Sequence, residues 1–385
     1  MISKPLDGLM DAICTEENFH LAHRSARENK RQREEVLIFS EHLEENLTNL
    51  LEEVKNGTYR VGPYREFYVT VPKARLVMAL EYRDRVVQWA LYRQLQPFLD
   101  KRFIFDTYAC REGKGTHAAA NRLFSWFQEI KRKPDFDNWY YLKLDISKFF
   151  YRVDHAILMD MMREICTDPR FLRLMDTIIN NPDVPFGLPE GVKANDCPPE
   201  LRLYDVGMPI GNLSSQMFAN LYLDPLDKYC KHDLHLHYYI RYMDDVVILS
   251  NNLEMLHRIH ELIEQFLWER LKLRLNSKTA IRKVRNGIEF VGYRINTECI
   301  RLRKSTSRHI KRSFKHLEEE YAAGRKELDA IYPTIQSYYG LMEHCNSYYM
   351  RKWIAENIVF KRETPNSDDD FYLEEFFYEE IGTDA

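Results

Sequence analysis

The sequence has little of what marks secreted, zinc-binding or membrane-spanning proteins. Its 385 residues include seven cysteines, but no two of them have Cys-x-x-Cys spacing, so neither a zinc site nor a disulfide framework is indicated. No apolar run approaches the length that crosses a membrane, and residues 1–5 lead into a polar stretch instead of a signal peptide. We therefore expect a cytoplasmic protein with reduced thiols and no membrane partner.

An excess of positive charge is also absent, since the formal net charge is −4. Much of the negative charge lies in residues 361–385, which hold nine acids and two bases. Residues 301–315, by contrast, carry seven bases and no acid. We prefer phosphate binding over a solvated basic surface as the interpretation of this segment. The predicted nucleic-acid contacts are Arg301, Arg303, Lys304, Arg308, Lys311 and Arg312.

The sequence does contain a pair of adjacent carboxylates between two apolar segments. Asp244 and Asp245 follow Tyr242 and precede the apolar run Val246–Leu249. This pattern predicts two β-strands joined by a tight turn, with both acids at its tip. Neighbouring carboxylates repel each other, and divalent metal ions remove that cost. An ordinary hairpin with solvated acids is the alternative.

A third acid stands at the end of another predicted strand. Tyr141–Leu144 is followed by Asp145 and then by a helical pattern of apolar residues. Packing explains an acid at the end of a buried strand poorly, although Asp145 could instead cap the following helix. Phosphoryl transfer by two metal ions needs such a further carboxylate. Asp145, Asp244 and Asp245 are therefore the candidate catalytic and metal-binding acids.

A loop with two glycines lies between these acidic segments in the sequence. Residues 207–211 include Pro209, and their glycines permit a flat ligand to approach the backbone closely. A helix is predicted from about Leu213, with Asn212 or Ser214 as its cap. A loop–helix junction without further function is the alternative.

The order of these features resembles the palm of a reverse transcriptase, and the resemblance extends over most of the chain. Tyr242–Asp245 match the family's Tyr-x-Asp-Asp box, and Asp145 matches the acid of its first palm motif. The resemblance implies an α+β right-hand polymerase with fingers, an antiparallel palm sheet and a helical thumb. It also implies two Mg²⁺ ions, for which Mn²⁺ could substitute, bound by Asp145, Asp244 and the Ile146 carbonyl, with Asp245 alongside.

Further segments resemble other parts of that family. Phe150 matches the bulky residue that excludes a ribose 2′-hydroxyl. Lys278 is similar to the catalytic lysine that protonates the leaving pyrophosphate or steadies the triphosphate. Residues 288–294 resemble the primer-grip hairpin, with Phe290 and Gly292 as its candidate contacts.

The remaining candidate nucleotide-binding residues lie in the segments that resemble the fingers and the substrate loop. Lys73 and Arg75 are candidate triphosphate ligands, because arginine offers a planar fork to phosphate oxygens. Taken alone, each of these bases is also explained as a solvated surface charge. The loop contributes Ile210, Gly211 and Gln216.

Ile210 departs from the family pattern, because most reverse transcriptases have glutamine at this position. The form found here resembles the enzymes of diversity-generating retroelements and some relatives in phage defence. In the former, an aliphatic residue is associated with misincorporation opposite template adenines, and isoleucine packs where glutamine could hydrogen-bond. The resemblance implies an error-prone RNA-directed DNA polymerase. A defence enzyme that makes templated or untemplated DNA and a maturase-like RNA-binding protein remain alternatives.

The resemblance also predicts partners and domain organisation. The partners would be template RNA, the RNA/DNA duplex, deoxynucleoside triphosphates and a small basic accessory protein, in a prokaryotic cytoplasm. We expect an N-terminal helical arm in residues 1–60, interleaved fingers and palm in 61–298, a helical thumb in 299–360 and an acidic tail in 361–385. A charged helix is predicted over Ala22–Arg33, where RNA contact and a solvated face are both open.

Overall fold

The computed structural model describes residues 6–69, 75–192 and 196–362, together with the backbone of residues 371–372. Its α-helices are α1 (Leu9–Ile13), α2 (Glu16–Ala26), α3 (Glu34–Glu41), α4 (Leu43–Asn56), α5 (Tyr82–Arg102), α6 (Thr116–Lys131), α7 (His155–Ile165), α8 (Pro169–Ile179), α9 (Leu213–Lys228), α10 (Leu253–Leu271), α11 (Lys304–Ala322), α12 (Leu328–Glu343) and α13 (Tyr348–Asn357).

The strands are short and pair mainly with near neighbours in the chain. They are β1 (Arg65–Val69), β2 (Arg75–Ala79), β3 (Tyr140–Asp145), β4 (Tyr239–Tyr242), β5 (Asp245–Ser250), β6 (Ala280–Lys283), β7 (Ile288–Phe290), β8 (Tyr293–Ile295), β9 (Ile300–Leu302), β10 (Val359–Phe360) and β11 (Phe371–Tyr372). The pairs β1–β2, β4–β5, β7–β8 and β8–β9 are antiparallel. The predicted α+β class is therefore confirmed.

The described residues form two compact units. The first comprises Met1–Glu112, Leu142–Ile248 and Glu254–Ala280, and the second comprises Gly113–Tyr141, Leu249–Leu253 and Ile281–Ala385. All three candidate acids and the loop before α9 belong to the first unit. The candidate primer grip and the basic segment belong to the second. The predicted division into arm, fingers and palm, thumb and tail remains a prediction.

The predicted acidic hairpin is present in the first unit. Tyr242 at the end of β4 is paired with Asp245 at the start of β5, so Met243 and Asp244 form a two-residue turn. Met243 has a φ of 53°, in the left-handed region that residues other than glycine rarely adopt. The apolar run Val246–Leu249 is buried, which explains its composition. The sheet that contains this hairpin has the strand order β4-β5-β3-β6.

Helix caps decide between two interpretations of the acid after β3. The first helical element after Asp145 is a short 3-10 helix, Phe149–Tyr151, and Lys148 stands at its N-cap position. The helix α7 comes next, and at its start the Asp154 carboxylate accepts a hydrogen bond from the Ile157 N–H at 3.0 Å. Asp154 therefore caps this helix and Asp145 does not. The predicted start of α9 at Leu213 is confirmed. Asn212 stands at its N-cap position without a side-chain capping bond.

The helix predicted over Ala22–Arg33 is wrong in its extent, because α2 ends at Ala26. Asn29 adopts a φ of 57°, a left-handed conformation that interrupts a helix and that asparagine tolerates better than most residues. The apolar side of α2, including Phe19, is buried and packs against α5. This burial explains why the helix persists up to Ala26.

The second unit contains the predicted primer-grip hairpin and a helical core. Between β7 and β8, Val291 and Gly292 have φ values of 45° and 90°, and two successive positive φ values are typical of a type I′ turn. Helices α11, α12 and α13 enclose apolar side chains such as Ile310, Phe314 and Ile335.

In the part of the chain that the structure describes, no helix combines the length and apolar character that membrane crossing requires.

Candidate active site

The two acidic segments, which lie far apart in the sequence, are adjacent in the first unit. The backbone N–H of Ile146 donates a hydrogen bond to the Asp244 carbonyl at 3.3 Å. This bond joins the end of β3 to the β4–β5 turn, so Asp145 and Asp244 start from neighbouring backbone positions. Ile146 is buried, which fixes the junction between the two segments.

The segment that carries Lys278 is bonded to the same strand end. The Asn276 N–H donates to the Asp145 carbonyl at 2.7 Å, and the Ser147 N–H donates to the Arg274 carbonyl at 2.8 Å. The Asn276 side-chain oxygen accepts from the Lys278 N–H at 3.2 Å. Lys278 is exposed, and its segment is anchored directly to Asp145.

Asp245 has a fixed cationic partner in Lys143. The Lys143 ammonium donates to Asp245 Oδ2 at 3.0 Å and lies 3.0 Å from Oδ1. Burial raises the pKa of the Asp245 carboxyl to about 6, the charges of Asp244 and Asp145 act in the same direction, and Lys143 lowers it. Because both other acids influence this pKa, the three carboxylates are electrostatically coupled.

The oxygen donors at this site fit a hard divalent cation. Mg²⁺ is usually bound through one or two carboxylates, with water and substrate phosphates as its other ligands. Among the described residues, no three acidic, histidine or cysteine side chains are arranged as a complete metal-ligand group. Oδ1 of Asp245 is buried with the Lys143 ammonium 3.0 Å away as an ionic partner, and the neighbouring acids repel one another. The chemistry of these oxygen donors therefore fits a divalent cation that takes substrate oxygens as further ligands.

Arg241, which immediately precedes the acidic turn, is completely buried. Its Nε donates to Asp227 Oδ1 at 2.7 Å and its Nη2 donates to Asp227 Oδ2 at 2.6 Å. Nη1 donates to the Met243 carbonyl at 3.1 Å. Burial lowers the pKa of Arg241, but the charge and hydrogen bonds of Asp227 outweigh it and leave this pKa raised. Arg241 therefore holds the turn in place from its buried side.

The loop before α9 connects several candidate nucleotide-binding residues. The Met208 N–H donates to the Phe150 carbonyl at 2.6 Å, and the Met78 N–H donates to the Ile210 carbonyl at 3.1 Å. Gly211 has a φ of 112°, and a Cβ there would lie 2.9 Å from a β2 side chain. Glycine is therefore required at this position by conformation and by space. Phe150, Ile210 and Gly211 belong to one hydrogen-bonded framework with β2.

The other predicted nucleotide contacts have different environments. Arg75 begins β2 and is exposed. Gln216, on α9, is half-buried, and its side-chain oxygen accepts from the Cys110 thiol at 3.2 Å. Lys73 lies outside the described residues. The structure thus places Arg75 at the surface and gives Gln216 an internal partner.

The predicted primer-grip residues have distinct positions in the second unit. The Phe290 ring is buried and supports the hairpin from its core side. Gly292 lies at the hairpin tip, where an added Cβ would meet no atom within 4 Å. A primer contact would therefore be made by the backbone of the tip and not by the Phe290 ring.

The predicted phosphate-binding residues precede and begin α11. Lys304, Arg308 and Arg312 are exposed on this helix. Lys311 differs from them, because its Nζ lies 4.1 Å from the centroid of the Trp353 ring. Before the helix, Arg301 is exposed and its Nε donates to Cys299 Sγ at 3.2 Å. Arg303 is half-buried at the N-cap position of α11.

Two residues that organise the acids, Lys143 and Arg241, were not predicted from the sequence, although each leaves a signal there. The alternation of side chains along β3 places Lys143 on the same face as Asp145, which indicates a cation near the acids. An arginine within the otherwise apolar β4 predicts a buried anionic partner. The pattern does not identify Asp227 as that partner, because several acids precede Arg241 in the chain.

Residues 69–295 match the family model described as reverse transcriptase (RNA-dependent DNA polymerase). The match covers more than half of the chain and includes every candidate acid. The chain is 26% identical over 287 residues to Protein YkfC of Escherichia coli K12, which covers 64% of this chain and 70% of YkfC. It is 23% identical over 189 residues to the group II intron-encoded protein LtrA of Lactococcus lactis, which covers 48% of this chain and 28% of LtrA.

Solved telomerase structures are also similar to this chain. A Candida albicans telomerase, solved with a fragment of telomeric RNA, is 14% identical with a TM-score of 0.45, over 70% of this chain and 52% of the telomerase. This chain therefore spans about half the length of that telomerase and less than a third of LtrA. From the family model, which includes both the Asp145 strand and the acidic hairpin, we conclude that the chain belongs to the reverse transcriptase family.

Proposed function

We propose that this chain polymerises deoxynucleotides on an RNA template by two-metal nucleotidyl transfer. The observation that supports this proposal most is the Ile146–Asp244 backbone bond of 3.3 Å, because it brings the backbone of the Asp145 strand next to the Asp244 turn in a member of this family. Reverse transcriptases generally use divalent metal ions. When bound, Mg²⁺ or Mn²⁺ would activate the primer hydroxyl and stabilise the charge on the reacting phosphate.

The protein side chains would orient the metals, assist the leaving group and select the sugar. Asp145 and Asp244 would orient the metals, and Lys143 holds the neighbouring Asp245 in place. Lys278 would donate a proton or a hydrogen bond to the leaving pyrophosphate. Phe150, whose carbonyl is fixed by Met208 N at 2.6 Å, would pack under the sugar and leave no space for a 2′-hydroxyl.

Asp244→Asn tests the proposal, because it keeps the shape of the side chain and removes its charge. We expect single-nucleotide addition on an RNA template to fall by roughly 10³-fold, which corresponds to the several kcal/mol that metal catalysis supplies. Binding of the primer–template should be retained. Asp160→Asn is the matched control, since Asp160 is an exposed acid on α7. Unchanged nucleotide addition by Asp244→Asn would overturn the metal assignment.

We further propose that the copying is error-prone, in the manner of diversity-generating retroelements. This rests on Ile210, which stands where the family usually has glutamine and whose carbonyl accepts a hydrogen bond from the Met78 N–H in β2. Its side chain can pack against a nascent base pair but cannot hydrogen-bond to it. Each missing hydrogen bond would weaken discrimination by about 1 kcal/mol.

Deep sequencing of DNA made on a defined RNA template tests this second proposal. We expect errors concentrated opposite adenine, and fewer such errors in Ile210→Gln. Leu201→Gln, which changes an exposed aliphatic side chain outside the loop, should leave the error spectrum unchanged. Evenly accurate copies would contradict error-prone diversification. Products unrelated to the template would instead favour a defence polymerase.

The partners and location belong to the same proposal. Template RNA and the RNA/DNA duplex would bind the exposed bases at the start of α11 through their phosphates. A small basic accessory protein would complement the nine acids of residues 361–385. A prokaryotic cytoplasm would supply the deoxynucleoside triphosphates. Co-purification of RNA and a basic protein with the tagged full chain tests these assignments, and their absence would contradict them.

A further inference from the structure

A basic cavity lies beside the end of β3 in the first unit. Its volume is about 260 Å³. Four bases and one acid line it, together with an indole ring: Lys148, Arg152, Lys272, Arg274, Glu190 and Trp268. None of these residues has a role in the nucleotidyl transfer described above. The excess of positive charge indicates an anionic ligand.

The cavity is tied to the strand that carries Asp145. The Ser147 N–H, two residues beyond that acid, donates to the Arg274 carbonyl at 2.8 Å. Lys148 follows Ser147 directly, and its ammonium donates to the Val192 carbonyl. These bonds hold one wall of the cavity against the catalytic strand within a single compact unit.

The backbone of this wall is strained in two places. Lys148 has a φ of 49° and Lys272 a φ of 54°. Both values lie in the left-handed region, which costs an L-residue of this kind of order 1 kcal/mol or more. Such outliers cluster at binding and catalytic sites. Lys272 directly follows the last residue of α10, where a left-handed residue commonly ends a helix. The unusual φ that favours a functional interpretation is therefore that of Lys148.

The indole ring supplies a stacking surface. Trp268 is 47% exposed, the Arg274 guanidinium carbon lies 4.4 Å from its ring centroid, and Lys272 Nζ lies 5.8 Å from it. An exposed aromatic ring surrounded by cations is the arrangement that binds single-stranded nucleic acid, because bases stack on the ring while cations attract the phosphates. A site for a free nucleotide encloses most of its ligand, whereas the Arg274 side chain is 61% exposed.

We propose that this cavity binds a nucleotide of single-stranded RNA, with its base stacked on Trp268 and its phosphates near Lys148, Arg152 and Lys272. The proposal deepens the proposed function, since the single-stranded part of the template is the RNA it would bind. It assigns to this face of the first unit a template contact made by residues other than the candidate acids.

The test uses the full chain carrying Asp244→Asn, so that binding is measured without polymerisation. The probes are a fluorescein-labelled 12-nucleotide RNA, a blunt RNA/DNA duplex and the same duplex with a single-stranded RNA overhang. We expect Trp268→Ala to weaken binding of the single strand and of the overhang duplex by about tenfold, within the range measured for one stacked base. The blunt duplex should bind as before.

Two variants separate stacking from folding. Trp268→Phe keeps an aromatic ring and should retain most of the affinity for single-stranded RNA. Lys272→Gln removes an exposed charge, so it should weaken single-strand binding and reduce the salt dependence of that binding. Arg258→Ala, an exposed base on the same helix α10, is the matched control and should change nothing.

The outcomes distinguish this proposal from the proposed function. Unchanged single-strand affinity in both Trp268→Ala and Lys272→Gln would overturn the cavity assignment, whether or not the wild-type chain polymerises. A raised KM for deoxynucleoside triphosphates in Trp268→Ala, with RNA affinity unchanged, would overturn it in favour of a free-nucleotide site. Loss of single-strand binding with retained duplex binding would support it even if no polymerisation were found.

Discussion

Arg241 and Asp227 form an ion pair in which neither side chain is exposed, with 2.6 Å between Nη2 and Oδ2. The same guanidinium donates to the Met243 carbonyl in the acidic turn at 3.1 Å. The removal of one member of such a pair leaves an uncompensated buried charge. The pair therefore links the stability of the first unit to the geometry of the turn that carries Asp244.

A comparison of Arg241→Met with the double variant Arg241→Met, Asp227→Asn separates the effect on stability from the effect on the turn. We expect the single variant to lose about 3–5 kcal/mol of unfolding free energy, because the Asp227 charge is left unpaired. The double variant should recover part of this loss but not the rate of nucleotide addition, since the Met243 carbonyl still lacks its donor. Urea unfolding and single-turnover kinetics measure the two quantities. If the rate recovered together with the stability, Arg241 would have no positioning role.

Phe150 is expected to set the preference for deoxynucleotides. Phe150→Val should raise the kcat/KM for a ribonucleotide relative to the matching deoxynucleotide by roughly 10–100-fold, since a void of this size is worth about 1–3 kcal/mol. Phe149→Leu is the matched control, because the Phe149 ring is buried 5.4 Å from that of Phe150. It should lower stability without changing the sugar preference. Equal discrimination in Phe150→Val and wild type would contradict the assignment.

The exposed bases of α11 are expected to bind phosphates in a salt-dependent manner. Arg308→Ala with Arg312→Ala should reduce the slope of log affinity against log salt for an RNA/DNA duplex by roughly 1–2, because each phosphate that the protein neutralises adds close to one unit to this slope. Lys311→Ala should change the slope less and lower stability more, because Lys311 lies over the Trp353 ring. Fluorescence anisotropy from low to high salt measures the slope. An unchanged slope in the double variant would exclude phosphate binding by these two arginines.

His23 is expected to make the first unit sensitive to acid. Its side chain is buried, and Nδ1 lies 3.0 Å from the Tyr82 hydroxyl. Burial lowers the pKa of His23 to about 4, and the charges of Arg27 and His20 act in the same direction. Because an unfolded histidine has a pKa near 6.5, the unfolded chain binds a proton that the folded chain rejects. The stability contribution is therefore complete above about pH 6.5 and is lost as the pH falls towards 4.

His23→Phe provides the measurement of this effect. Between about pH 7 and pH 4.5, the wild-type unfolding free energy should fall by roughly 2–3 kcal/mol more than that of the variant, at 1.36 kcal/mol for each pKa unit. Urea unfolding at several pH values gives both curves. Parallel curves for the two proteins would show that His23 titrates normally in the folded state.

Local patterns predicted the elements that carry the candidate site. The apolar segments on both sides of Asp244 and Asp245 predicted their hairpin, and the residues around Leu213 predicted the start of α9. These features depend on neighbours within a few residues, which the sequence displays directly. The helix over Ala22–Arg33 was predicted too long for the same reason, because its charged residues favour a helix while the left-handed Asn29 interrupts it.

The sequence by itself determined which residues the candidate site contains, since it specifies the three acids, the bulky Phe150 and the aliphatic Ile210. Only the tertiary structure decided how these residues are held. It paired Asp245 with Lys143, placed Asp227 against Arg241 and bonded the segment that carries Lys278 to the carbonyl of Asp145. It also gathered Lys148, Lys272 and Trp268 around one cavity. Contacts of this kind depend on strand order and on register between distant segments, which the periodicity of a single segment does not encode.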